Sequence, residues 1–168
     1  MYIWLMRHGA TELSGKGADV EYRLSARGVA DVKSMAAIIR SYTGKNDIAV
    51  YSSLITRAVQ TAEIMATQLG VHEVQRHETL IDGDINGFYE HVLRQTAEKT
   101  VLCVGHSPYL EEWLQYWTGA EIDFSHAAAA FVDYKQGGDS VGTGQLLLYV
   151  QPAVLPLLRQ QTERRDSE

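Results

Sequence analysis

Tyr2-Ile3-Trp4-Leu5-Met6-Arg7-His8-Gly9 is an apolar run that ends abruptly in a cation, an imidazole and a residue that lets the backbone turn. Apolar residues on successive rather than alternate positions predict a strand buried on both faces. The polar end then lies where that strand leaves the core. A histidine there can attack phosphorus, and the adjacent arginine can hold phosphoryl oxygens. Two further runs end the same way. Ile48-Ala49-Val50-Tyr51 leads into Ser52-Ser53-Leu54-Ile55-Thr56-Arg57-Ala58-Val59-Gln60-Thr61, and Val101-Leu102-Cys103-Val104 leads into Gly105-His106-Ser107.

Amphipathic segments separate these runs. Residues 27–41 place Val29, Val32, Ala36 and Ile39 at helical spacing, and residues 55–69 align Ala58, Ala62, Met65 and Leu69 before a stop at Gly70. A turn cluster, Thr43 to Asp47, precedes the second run. A short strand at Val74-Gln75, a helix from Phe88 to Glu98 and a helix over 109–117 are expected next. Ala128–Tyr134 and Gln145–Val150, joined by a glycine-rich loop, predict an antiparallel pair. The expected fold is α/β: a three-layer α/β/α sandwich on a mainly parallel sheet, with an antiparallel C-terminal strand pair and no lid subdomain. One domain is expected over residues 1–168, with a charged tail over 160–168. Ligands of such sheets sit outside the carboxyl ends of the strands. Arg7, His8, Arg57 and His106 are therefore expected along one edge.

The 168 residues, 45% apolar and 21% charged, suit one globular domain with a real core. A net charge of -6 without a basic stripe argues against a nucleic-acid partner. Cys103, inside an apolar run, reads as a small core residue, and no disulfide or paired-thiol site is available. No apolar stretch reaches membrane-span length and the N-terminus lacks a signal-peptide pattern, so the expectation is a cytoplasmic protein with no membrane partner. The histidines lack metal-ligand spacing, so no metal or other cofactor is expected. Gly105-His106-Ser107-Pro108-Tyr109 is no nucleophile elbow, because Tyr109 stands where glycine is required.

Taken in order, Arg7-His8-Gly9, Arg57 within Ser-x-x-x-Arg-Ala-x-Gln-Thr, and Gly105-His106 resemble the histidine phosphatase (phosphoglycerate mutase-like) superfamily over nearly the whole chain. Length and the C-terminal pair look most like its small phosphohistidine phosphatases of the SixA type. The resemblance implies a metal-independent phosphatase acting through a phosphohistidine intermediate. His8 would be the nucleophile, with Arg7, Arg57 and His106 lining the phosphate pocket. The implied substrate is a phosphorylated protein, a phosphohistidine carrier. A phosphomonoesterase for a small phosphorylated molecule is the alternative, and a non-catalytic phosphate-binding module the third reading. The family segment Arg-Pro-Leu-Thr-x-x-Gly stands here as Arg23-Leu24-Ser25-Ala26-Arg27-Gly28, one residue shorter and without the proline. Arg23 is carried as a further candidate phosphate contact. Ser52-Ser53 replaces the family's Ser-Pro.

The residue types suit that chemistry. A nucleophilic imidazole must be neutral at the attacking nitrogen, with the other nitrogen fixed by a hydrogen bond. Arg7 and Arg57 disfavour a second positive charge on His8 and offer planar donor forks to phosphoryl oxygens. His106 adds a donor to a charge-rich transition state. For the general acid, the resemblance implies a carboxylate between the second and third motifs, where Glu78, Asp82 and Asp84 lie. Asp84 is favoured for its Gly83-Asp84 pairing, with Glu78 as the alternative. His72, His77 and His91 are expected to be exposed and without a role, whereas His126 precedes an alanine run near the sheet end and can touch the pocket.

Overall fold

The first apolar run forms β1 (Tyr2–Arg7), which lies inside the sheet between a parallel and an antiparallel neighbour. A computed structural model of the chain describes residues 1–15, 21–43, 47–138 and 140–157. After β1 come β2 (Thr11–Ser14), β3 (Glu21–Leu24), α1 (Ala26–Tyr42), β4 (Ile48–Ser52), α2 (Thr56–Leu69) and β5 (Val74–Arg76). Two single turns, α3 (Thr79–Asp82) and α4 (Ile85–Phe88), lead into a π-helical turn over Tyr89–Leu93. Then follow β6 (Thr100–Gly105), α5 (Tyr109–Thr118), β7 (Ala129–Gly137), β8 (Ser140–Val150) and a 3-10 turn at Pro152–Val154.

Among the described residues, six strands form the main sheet in the order β5-β4-β6-β1-β7-β8. The first four run parallel, and β7 and β8 are antiparallel to their neighbours. Side chains alternate across β1. Ile3 and Leu5 join Phe88, Trp113 and Leu114 on one face. Trp4 and Met6 join Val32, Met35, Ala58 and Met65 of α1 and α2 on the other. Both faces are covered, which is why every residue of the run is apolar. The fold is the expected three-layer α/β/α sandwich with its antiparallel C-terminal pair, and Cys103 is buried within it. No described helix is long and apolar enough to cross a membrane.

The helix expected from Phe88 to Glu98 is a correction. Helical structure begins earlier, at Thr79, and ends at Leu93. Gly83, at φ 77°, breaks it, and Asp84 restarts it by accepting the Gly87 N–H through Oδ1 at 2.9 Å. The β2–β3 hairpin is unannounced in the sequence, because its residues are mostly exposed and show no buried alternation. The expected tail over 160–168 and the centre of the turn at 43–47 lie outside the described residues.

Strand register sets the site. Arg7 pairs with Gly105 and Ser52 with Val104, so β1, β4 and β6 end at one edge. Because β7 runs antiparallel to β1, with Met6 opposite Ala129, the loop before β7 returns to that same edge. Helix α1 meets the backbone just past His8 at Gly28, where a Cβ would stand 2.1 Å from the Ala10 carbonyl oxygen. Gly28→Ala should therefore destabilise the fold by about 1–3 kcal/mol through overpacking. Denaturant unfolding tests this, and a variant as stable as the parent would show that the contact yields freely.

Candidate active site

His8 follows the last residue of β1 and is 5% exposed. Its backbone is held on both sides: its N–H donates to Gly105 C=O, and its C=O accepts from the Ala127 N–H, each at 3.1 Å. The imidazole Nδ1 lies 2.8 Å from the Gly9 carbonyl oxygen. A carbonyl can only accept, so Nδ1 carries the proton and Nε2 keeps its lone pair. The Arg57 Nε–H donates to that Nε2 at 3.1 Å. Gly9 is itself tied down, since its N–H donates to Thr61 Oγ1 at 3.1 Å and that hydroxyl donates to Arg57 C=O at 2.8 Å. Thr61 lies four residues beyond Arg57 and so on the same face of α2.

Three more side chains meet His8. The His106 ring centroid is 5.3 Å away, and His106 Nε2 shares a 2.8 Å hydrogen bond with Ser53 Oγ. Arg7 Nη1 donates to Phe124 C=O at 2.6 Å, and Arg7 Nη2 lies 3.4 Å from His126 Nε2. The His126 ring centroid is 5.4 Å from that of His8. Buried Ala127, at φ 60°, turns the chain so that His126 overhangs the pocket. Holding a non-glycine residue there costs about 1–3 kcal/mol. Arg7 Nε and His106 Nδ1 are buried without a hydrogen-bond partner among the described residues. Two guanidiniums and three imidazoles thus converge on one small volume, an arrangement that can hold a tetrahedral anion against a nucleophilic nitrogen.

The electrostatics suit that use. Burial above all, then the charges of Arg57, His106 and Arg7, lower the His8 pKa to about 3, against the raising effect of the Gly9 hydrogen bond. Burial, Arg57 and Arg7 lower His106 to about 4. Burial and the two arginines lower His126 as well.

The structure brings Arg7, His8, Arg57 and His106 together, and His126, expected to be able to touch the pocket, lies beside Arg7 and His8. It places Arg23 on the β2–β3 hairpin, where Nε donates to Glu21 Oε1 at 2.7 Å. Glu21 Oε2 in turn accepts from Thr56 Oγ1, beside Arg57. Asp84 is exposed and engaged as the cap of α4. Glu78 is exposed and its carboxylate makes no hydrogen bond or ion pair among the described residues, and Asp82 accepts from the Asp84 N–H. Glu78 follows His77, whose N–H donates to Ser52 C=O at the end of β4. His77 departs from expectation: it is half-buried, packed edge-on against Phe88, with Nδ1 2.7 Å from Thr79 Oγ1. His72 and His91 are exposed, as expected. Among the described residues no cluster of His, Cys, Asp and Glu could hold a metal ion. Thr61, Ser53 and the Phe124 carbonyl were not assigned from sequence. The helical spacing from Arg57 could have pointed to Thr61, and the place of Ser53 beside the strand end to that hydroxyl; the carbonyl leaves no trace in a sequence.

The profile of the histidine phosphatase superfamily (branch 1) matches residues 3–89. The solved structure of the protein histidine phosphatase SixA complexed with tungstate superposes with a TM-score of 0.76 at 21% identity, covering 92% of this chain and 99% of that one. A structure from Agrobacterium tumefaciens, named as a candidate phosphohistidine phosphatase SixA, gives 0.68 at 20% identity, covering 90% and 97%. A mycobacterial glucosyl-3-phosphoglycerate phosphatase, in complex with VO3, gives 0.63 at 15% identity, covering 89% and 99%. No curated protein sequence matches this chain significantly.

His8 and His106 stay neutral in the folded chain but protonate near 6.5 when unfolded. Below that pH the unfolded state binds more protons, so stability is full above about 6.5 and is lost as pH falls toward 4 and 3. Each imidazole weakens the fold by about 1.4 kcal/mol per pH unit in its window. His8→Ala should flatten the decline in unfolding free energy between pH 6.5 and 5. A slope equal to the parent's would mean that His8 protonates in the folded chain.

Proposed function

The chain belongs to the histidine phosphatase superfamily, and on that premise we propose that it is a phosphatase acting through a phosphohistidine intermediate on His8. The observation that carries this reading is the hydrogen bond from His8 Nδ1 to Gly9, which leaves the Nε2 lone pair in a buried, cationic pocket. Nε2 attacks phosphorus as the bond to the leaving group breaks, and the leaving group departs with that electron pair and takes up a proton. Water then attacks the phosphoryl group, the P–Nε2 bond breaks, its pair returns to Nε2, and inorganic phosphate leaves. The Arg57 donor that now meets Nε2 turns to the phosphoryl oxygens, joined by Arg7 Nε and His106 Nδ1. These donors neutralise the charge that a metal neutralises in other phosphatases. Glu78 suits the proton donor better than Asp84, whose carboxylate is held by the Gly87 N–H.

The favoured substrate is phosphohistidine presented on another protein. The segment between α2 and β6 holds only β5 and short helical turns, with no inserted lid. Leu54, beside the pocket, and Leu13 and Tyr22, paired across the hairpin joined to α2, are exposed apolar groups on that side. A rim of this kind suits a protein surface. A phosphorylated imidazole also leaves more readily than an alkoxide, so an exposed acid costs less. Two structures similar in fold carry the SixA name, one as a protein histidine phosphatase and one as a candidate phosphohistidine phosphatase. A second reading, a small-metabolite phosphomonoesterase, draws on a groove of about 280 Å³ beside His126, lined by Arg27, Asp31, Ser125 and Gln151 together with Ala10, Pro152 and Ala153.

His8→Ala should abolish turnover, and Arg57→Ala should lower kcat/KM by about a hundredfold or more. Near-normal hydrolysis by His8→Ala would remove the mechanism. Activity should be complete in excess chelator; loss restored by a divalent ion would contradict a metal-independent reaction. Across a panel, a phosphohistidine carrier protein should exceed phosphoserine peptides and sugar phosphates in kcat/KM by about a hundredfold. Equal values for a sugar phosphate would favour the metabolite phosphatase.

A further inference from the structure

We infer that Glu111 is a positioning residue for the pocket: its carboxylate clamps the loop that carries Phe124, the acceptor for Arg7, to the loop that carries His106. The inference rests on the phosphatase reading above and assigns a part of the same site. Glu111 lies in the first turn of α5, where the helix dipole favours a carboxylate. Its Oε1 accepts two hydrogen bonds, from Ser107 Oγ at 2.6 Å and from the Phe124 N–H at 3.0 Å. Ser107 is the residue after His106. Phe124, buried through its ring, is the residue whose carbonyl receives Arg7 Nη1 at 2.6 Å. One carboxylate oxygen therefore fixes the N–H of the residue that fixes the guanidinium.

The other oxygen points to the same conclusion. Glu111 Oε2 is buried without a hydrogen-bond partner among the described residues. Leaving a carboxylate oxygen so placed costs free energy, and scaffolding alone is served better by a fully paired or apolar side chain. The geometry links that cost to aim. Without the Phe124 anchor, Arg7 keeps its charge but loses a fixed acceptor, and its Nε–H is no longer directed. Glu112, the exposed neighbour on the same helix, makes no contact of this kind among the described residues and serves as the control.

The test is a double-mutant cycle in the full chain with two readouts: inorganic phosphate binding by calorimetry, and kcat/KM on a phosphoramidate. Glu111→Ala should weaken phosphate binding about tenfold, the scale of a lost charge-assisted hydrogen bond. Glu111→Gln, which keeps an acceptor oxygen at Oε1, should recover most of that loss, and Glu112→Ala should bind as the parent does. In an Arg7→Ala background, Glu111→Ala should have little further effect on phosphate, because its action runs through Arg7. Should Glu111→Ala fail to fold, Glu111→Asp, too short to reach Phe124, completes the same cycle. Equal losses in the presence and absence of Arg7, or no loss at all, would overturn the inference while leaving the phosphatase reading intact. A parent chain that neither binds phosphate nor cleaves the phosphoramidate would overturn both.

Discussion

The hydrogen bond from His8 Nδ1–H to the carbonyl of Gly9 is the contact on which the rest of the site depends. It selects the tautomer, and with it the nitrogen that holds the lone pair. The bond joins adjacent residues, so its geometry is only as firm as the backbone at Gly9. That backbone is held from two sides. Thr61 of α2 receives the Gly9 N–H, and Ser25, ahead of α1, donates to the carbonyl of Ala10. Gly28 allows α1 to approach that closely. Layers, helices and strand register thus serve to hold one short peptide segment still at the edge of the sheet.

The pocket places cationic and imidazole groups together in a protein whose net charge is -6. Burial first, and then the neighbouring arginines, lower the pKa of His8 and His106, so these two imidazoles stay neutral near pH 7. Arg7 Nε and His106 Nδ1 are buried without partners among the described residues, and Ala127 holds a backbone angle that L residues rarely adopt. Each feature lowers stability, and all belong to residues at or next to the pocket. On the proposed reading, an anion held there would offset part of that cost.

Much of this was legible in the sequence because the core and the site share a cause. Strands buried on both faces must be apolar throughout, so Arg7, His8 and His106 stand out as the points where such strands end. Arg57 was legible from its place in the first turn of the helix after β4. The short strands and turns were harder to read. The β2–β3 hairpin shows no alternation because both its faces see solvent, and the helix expected from Phe88 missed the two short turns before it, which Gly83 separates, and ran past the observed end at Leu93. His126 is at the site because β7 runs antiparallel to β1, a fact of pairing rather than of local spacing. Glu111 and the Phe124 carbonyl act through the backbone of a distant loop, which only tertiary structure brings near. The helix cap that engages Asp84 is likewise not announced by its pairing with Gly83.

The most direct test of the account is to quench the protein during turnover of a reactive phosphoramidate and locate the phosphoryl group by 31P NMR and peptide mass spectrometry. The account predicts an acid-labile, base-stable phosphoramidate on His8, attached at Nε2, that forms and decays at rates compatible with turnover. A phosphoryl group on Nδ1, on His106 or His126, or no covalent species during measurable hydrolysis, would contradict it.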